Sequence, residues 1–132
     1  MVKRNKFKQR ETIEEILLRL SERMFPAEMG RAVVTIDSRE ADGDGVLHNL
    51  LYGKECYPAP ALIEAGVAVN AVGNLGYTPL HVSAFRNDGE MIRALIDAGA
   101  DPKITCEVGK TPLDTAIDHG CLDAAKALRS LI

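Results

Sequence analysis

The stretch from Gly76 to Pro102 reads Gly-Tyr-Thr-Pro-Leu-His-Val-Ser-Ala-Phe-Arg-Asn-Asp-Gly-Glu-Met-Ile-Arg-Ala-Leu-Ile-Asp-Ala-Gly-Ala-Asp-Pro. It parses as a turn, two short helices and a second turn. Thr78 brings a hydroxyl that accepts an orphan backbone N–H at a helix start, and Pro79 follows at the first helical position, where its missing N–H costs nothing. Asn tolerates the left-handed backbone that ends a helix, so this helix is predicted to stop near Asn87. A second helix, roughly Glu90 to Ala98, sets Met91, Ile92, Leu95 and Ile96 on adjoining faces and ends at Gly99.

The same words recur along the chain at a fixed step of 33 residues. Thr78-Pro79-Leu80 returns as Thr111-Pro112-Leu113, and Ala94-Leu95 as Ala127-Leu128. Backwards, Ala94 to Gly99 is matched by Ala61-Leu62-Ile63-Glu64-Ala65-Gly66, and Leu80-His81 by Leu47-His48. A period of about 33 residues carrying Thr-Pro-Leu-His is a signature of stacked helix pairs, and on these residues the chain resembles the ankyrin repeat family from about Val34 onward. The resemblance implies an all-α solenoid of three repeats, about 37–69, 70–102 and 103–132, with a β-turn finger before each helix pair. It also implies that His48 and His81 each bond to the neighbouring repeat.

With 132 residues, 46% of them apolar, the chain holds one short stack with a core of Ala, Leu and Ile; aromatics are only 5% and Trp is absent. No apolar run reaches the ~18–20 residues that cross a bilayer and no secretory core opens the chain, so a cytoplasmic protein is expected. Cys56, Cys106 and Cys121 are odd in number and lack metal-ligand spacing, which predicts small, partly buried thiols. Lys3, Arg4, Lys6, Lys8 and Arg10 place +5 in the first ten residues; removing it from the net −3 leaves −8 for residues 11–132. Residues 1–11 read as a basic, solvated head. The acidic body disfavours nucleic acid and favours a basic protein surface.

Residues 12–32 read as an N-terminal capping helix and its connector, followed by the repeat domain over 33–132. Thr12 and Glu15 form a capping box. Ile13, Ile16, Leu17, Leu20 and Met24 make one apolar stripe, and Pro26 closes the helix. Gly43, Gly76 and Gly109 hold equivalent turn positions that call for positive φ. In the first repeat Gly45-Val46 replaces Thr-Pro, so that helix is expected to lack its cap and fray. In the last, Arg129 stands for Ile63 and Ile96, and Asp114 for His48 and His81, as a C-terminal cap would have it; the apolar Leu131-Ile132 pull the other way.

Nothing in the chain has the pattern of a catalytic or cofactor site: there is no Gly-rich phosphate loop, no His-Glu-x-x-His and no Gly-x-Ser-x-Gly. His48 and His81 are one repeat apart, about 10 Å, too far for one zinc ion. Asp42 with Asp44 lacks the later ligands of a calcium loop. A non-enzyme without cofactor, metal or small-molecule substrate is expected.

The family resemblance implies a partner-binding surface made of finger tips and the exposed ends of the first helices. Carried over by position, it comprises Arg39, Ala41, Asp42, Asp44 and Tyr52 in the first repeat. The second gives Val72, Asn74, Leu75, Tyr77, Phe85 and Arg86, and the third Thr105, Glu107, Val108, Lys110, Asp118 and His119. Tyr52, Val72, Leu75, Tyr77 and Phe85 form an apolar strip with charges on both sides, the build of a protein-binding patch. Val72 and Leu75 are the members most prone to fold back into the fingers; Tyr77 and Phe85 are expected to project. Three functions follow from this reading: a monomeric protein-interaction module, an inhibitor or immunity-type protein that neutralises one enzyme or toxin, and an anionic membrane or nucleic-acid contact through the basic head.

Overall fold

Thr78 and Thr111 start their helices as expected, each hydroxyl accepting the N–H three residues on, from His81 at 3.4 Å and from Asp114 at 3.2 Å. The computed structural model describes residues 12–24, 35–53 and 59–131; the basic head, the connector with Pro26, and Cys56 lie outside them. The described helices are α1 (Ile13–Met24), α2 (Val46–Tyr52), α3 (Ala59–Glu64), α4 (Pro79–Phe85), α5 (Gly89–Asp97), α6 (Pro112–Asp118) and α7 (Leu122–Leu131). Within the repeats α2 packs on α3, α4 on α5 and α6 on α7; between them α2 packs on α4, α4 on α6 and α5 on α7. Among the described residues there is no sheet, only an isolated bridge between Arg39 and Gly45.

The 33-residue step is written into the backbone. Each finger closes with one bond across its base: Glu40 N–H to Asp44 O at 2.8 Å, Gly73 to Tyr77 at 2.8 Å and Cys106 to Lys110 at 2.9 Å. Each turns on a glycine with positive φ, at Gly43, Gly76 and Gly109. Leu62, Leu95 and Leu128, one repeat apart, are all fully buried, each contributing about 1.5–3 kcal/mol of apolar transfer. Asn87 ends α4 with φ of 57°, and Asp88, which the sequence reading passed over, caps α5 through a 3.0 Å bond from Met91 N–H.

The first repeat departs from the expected fraying. Gly45 has no side chain to cap with, yet His48 reaches back and its Nδ1 accepts the Gly45 N–H at 3.2 Å. Residues 46–51 of α2 are all buried, so packing and this reversed cap hold the helix start. Helix α1 lies on α2 with Ile16, Leu20 and Met24 buried and Ile13 and Leu17 at the margin, as the stripe requires. A helix of this length is marginal alone, and a second anchor comes from Arg23, whose Nη1 donates to Asn49 O at 2.7 Å near the C-terminal end of α2. That end favours a cation. A Cβ on Gly53 would collide with the same guanidinium nitrogen, so a larger residue there pushes Arg23 out of its seat.

Candidate protein-binding surface

The two histidines fix how one repeat meets the next. His48 Nε2 donates to Tyr77 O at 2.8 Å, and His81 Nε2 to Lys110 O at 2.8 Å. In each ring Nδ1 accepts a backbone N–H, from Gly45 and Thr78, which selects the neutral tautomer with its proton on Nε2. Burial pushes both imidazoles below their ordinary pKa, against the lift from the carbonyl each faces. A proton on Nδ1 would set donor against donor. Both are structural ties between repeats.

The fingers are linked as well, and this reassigns part of the expected surface. Asp44 is only 6% exposed, and its carboxylate accepts Asn74 N–H across the finger junction at 2.8 Å. It lies under the surface rather than on it. Arg39 is exposed, but its Nη1 donates to Gly43 O at 3.1 Å and to Val72 O at 3.0 Å, stapling the first finger to the second. Asp42 is exposed and spends one oxygen on the Asp44 N–H at 3.0 Å. Glu40, Asp42 and Asp44 have carboxylate oxygens within 4.8 Å of one another, and all three acids accept hydrogen bonds from the protein, Glu40 from Asn49 Nδ2 at 2.6 Å. Asn74 and Glu107 are exposed, with the Glu107 N–H bonded to Leu75 O at 3.1 Å.

The apolar strip is present, exposed at Val72 and Leu75 but sunk at Tyr77 and Phe85, which were expected to project. Val72 and Leu75 stand out at 48% and 53% exposed, while Tyr77 and Phe85 are half-buried against the core. Both rings belong to longer side chains on framework elements, so they reach inward as well as along the surface. Phe85 is the hub of an aromatic run: its ring centroid lies 6.2 Å from that of Tyr52, 5.6 Å from Tyr77 and 5.9 Å from His119. Such spacings are those of attractive aromatic pairs. The run crosses all three repeats. Tyr52 is 37% exposed, and the burial of the rest of its side chain, with the negative charges of Asp44 and Asp42 close by, raises its phenol pKa to about 12.

Leu75 carries a cost. Its φ is 60°, and Gly76 after it is also positive, the arrangement of a type I′ turn whose first central position suits Asn, Asp or Gly. In a leucine this costs about 1 kcal/mol. The third finger, with Val108 at the matching place, has no positive φ there. Its charged pair is Lys110 with Asp118, hydrogen-bonded on the surface, where the carboxylate raises the lysine pKa. Arg86 is half-buried beside Phe85, and His119 is exposed with Nδ1 donating to Thr115 O at 2.9 Å.

Set beside known proteins, residues 45–131 match the family model described as ankyrin repeats, three copies. NF-kappa-B inhibitor alpha from Sus scrofa is 34% identical over 91 residues, 66% of this chain and 29% of that protein. The Mus musculus protein of the same name is 31% identical over 120 residues, 88% of this chain and 37% of that protein. The ankyrin repeat protein YahD of Escherichia coli K12 is 33% identical over 72 residues, 51% of this chain and 36% of its own length. The chain spans about a third of the length of these relatives.

Proposed function

The chain belongs to the ankyrin repeat family, and on that premise we propose that it is a non-catalytic module that grips another protein with the finger side of its second repeat. One observation carries this reading: the unbroken aromatic run of Tyr52, Phe85 and Tyr77, extended by Val72 and Leu75, which stand exposed at the neighbouring finger. Apolar centre and polar rim are both present, with Asp42 on one flank and Lys110 with Asp118 on the other. Strain retained at an exposed leucine fits a residue kept for contact rather than for folding. Among the described residues no helix is long and apolar enough to cross a membrane. The buried free thiols of Cys106 and Cys121 suit a reducing compartment such as the cytoplasm.

The test is affinity. A protein retained by the wild-type chain is titrated against Tyr77→Ala and Phe85→Ala, at a temperature where circular dichroism shows both folded. Each substitution should weaken binding by more than about 1 kcal/mol. Unchanged affinity in both removes the patch. An inhibitory role is a second reading, favoured by the likeness to NF-kappa-B inhibitor alpha. It requires that the retained partner lose its own activity on binding; a partner that stays fully active rules inhibition out and leaves the adaptor role.

A further inference from the structure

The far end of the stack, formed by α6 and α7, presents a surface that the proposed function does not use. Ile117 is 50% exposed there, whereas Leu51 and Ala84, its counterparts one step of the repeat apart, are 1% and 0% exposed because a following helix lies on each. Ile117, Leu122 and Ala125 line an open groove of about 450 Å³ that also takes in Lys126 and Arg129. Leu122 is 79% exposed. By the family's own packing this is the face on which a neighbouring unit stacks.

Its charges say what would cover it. Asp114 occupies the place from which His48 and His81 reach a carbonyl of the next finger, so position 114 faces whatever lies beyond. Its carboxylate accepts Thr111 N–H at 3.2 Å and is otherwise exposed. An occupant offering a backbone carbonyl would set acceptor against acceptor. One offering a cation to Asp114 and an anion to Lys126 and Arg129, around an apolar centre, satisfies each group. The end face is itself such a surface: α6 supplies the acid and α7 the base.

We propose that this end face pairs with the same face of a second copy, in a twofold contact that sets Asp114 of one protomer against Arg129 or Lys126 of its partner, and the reverse, with Ile117 and Leu122 between. A twofold interface needs one self-complementary patch, and acid on one helix with base on its neighbour provides it. The monomer expected from the sequence becomes one side of a monomer–dimer equilibrium. The contact is independent of the aromatic run, so Phe85→Ala leaves it intact.

Sedimentation of the intact chain over a concentration series tests this. The apparent mass should rise from one chain toward two. Ile117→Glu and Leu122→Glu, both at exposed positions, should hold it at one with the circular dichroism spectrum unchanged. Asp114→Arg and Arg129→Glu should each be monomeric alone and recover the dimer when mixed in equal amounts, because both pairings are restored between the two variants. A wild-type chain that stays monomeric at every concentration overturns the proposal. So does a dimer that survives both glutamate variants, or a mixture of the charge variants that does not associate.

Discussion

The second and third repeats share a backbone and differ in what they show. At the finger base and first-helix end the second has Tyr77 and Phe85, rings 5.6 Å apart; one step of 33 residues on, the third has Lys110 and Asp118 as a surface ion pair. The finger bonds at those bases match to 0.1 Å, 2.8 against 2.9 Å. Framework and surface chemistry are therefore separable. The period sets where a side chain stands, and its identity sets whether that place is sticky or solvated.

The sharpest break in the comparison comes from the tie that only one of the two repeats makes. His81→Ala orphans the Thr78 N–H inside the stack, strips Lys110 O of one of its two bonds, the other coming from Cys106 N–H, and should cost about 2–3 kcal/mol in a denaturant titration. Asp114→Ala, at the matching exposed place, loses one capping contact and should cost under about 1 kcal/mol. Equal losses would mean that His81 acts as a cap alone.

Acid sharpens the same contrast. Because burial holds His48 and His81 below the ordinary 6.5, the unfolded chain takes up their protons first as pH falls. The stability these residues give is fully present above about pH 6.5 and is lost as pH drops through their folded values. Melting temperature should fall between about pH 7 and 5, and a double variant with both histidines replaced by Gln should show a shallower decline. A slope unaffected by the replacement would assign acid sensitivity to the carboxylates instead.

Two smaller differences run in the stabilising direction. Leu75→Gly relieves a left-handed leucine and should raise stability by up to about 1 kcal/mol, whereas Val108→Gly, where φ is not positive, should lower it; partner affinity should fall for the first. Ser83 Oγ is buried and has no hydrogen-bond partner among the described residues, and the third repeat carries Ala116 at that place. Ser83→Ala should gain a few tenths to about 1 kcal/mol in thermal unfolding, and a loss would reveal a partner for the hydroxyl.

What the sequence made legible was local or periodic. Thr78, Thr111 and Asn87 act within one turn of the chain, so residue type alone announces their roles. The leucines repeat at one step, so their burial follows. Asp44 was misplaced on the surface because its role depends on the Asn74 N–H, 30 residues away and across a finger junction. Arg39 was assigned to the partner-binding surface without its staple to the second finger for the same reason, since the Val72 carbonyl it bonds belongs to the next finger. Asp88 was the missed local signal: an Asp three residues before Met91 is a cap, and it directly follows the Asn87 that ends the helix before it. The depth of Tyr77 and Phe85 was beyond pattern reading, because it is set by rings contributed from three repeats.

The most direct test grafts one repeat's surface onto the other. The double variant Tyr77→Lys/Phe85→Asp gives the second repeat the ion pair of the third, and its affinity for a protein retained by the wild-type chain is measured by calorimetry alongside a circular dichroism check of the fold. The account predicts a folded stack with affinity reduced at least about tenfold, the effect of roughly 1.4 kcal/mol. A folded variant that binds as tightly as the wild type would contradict it.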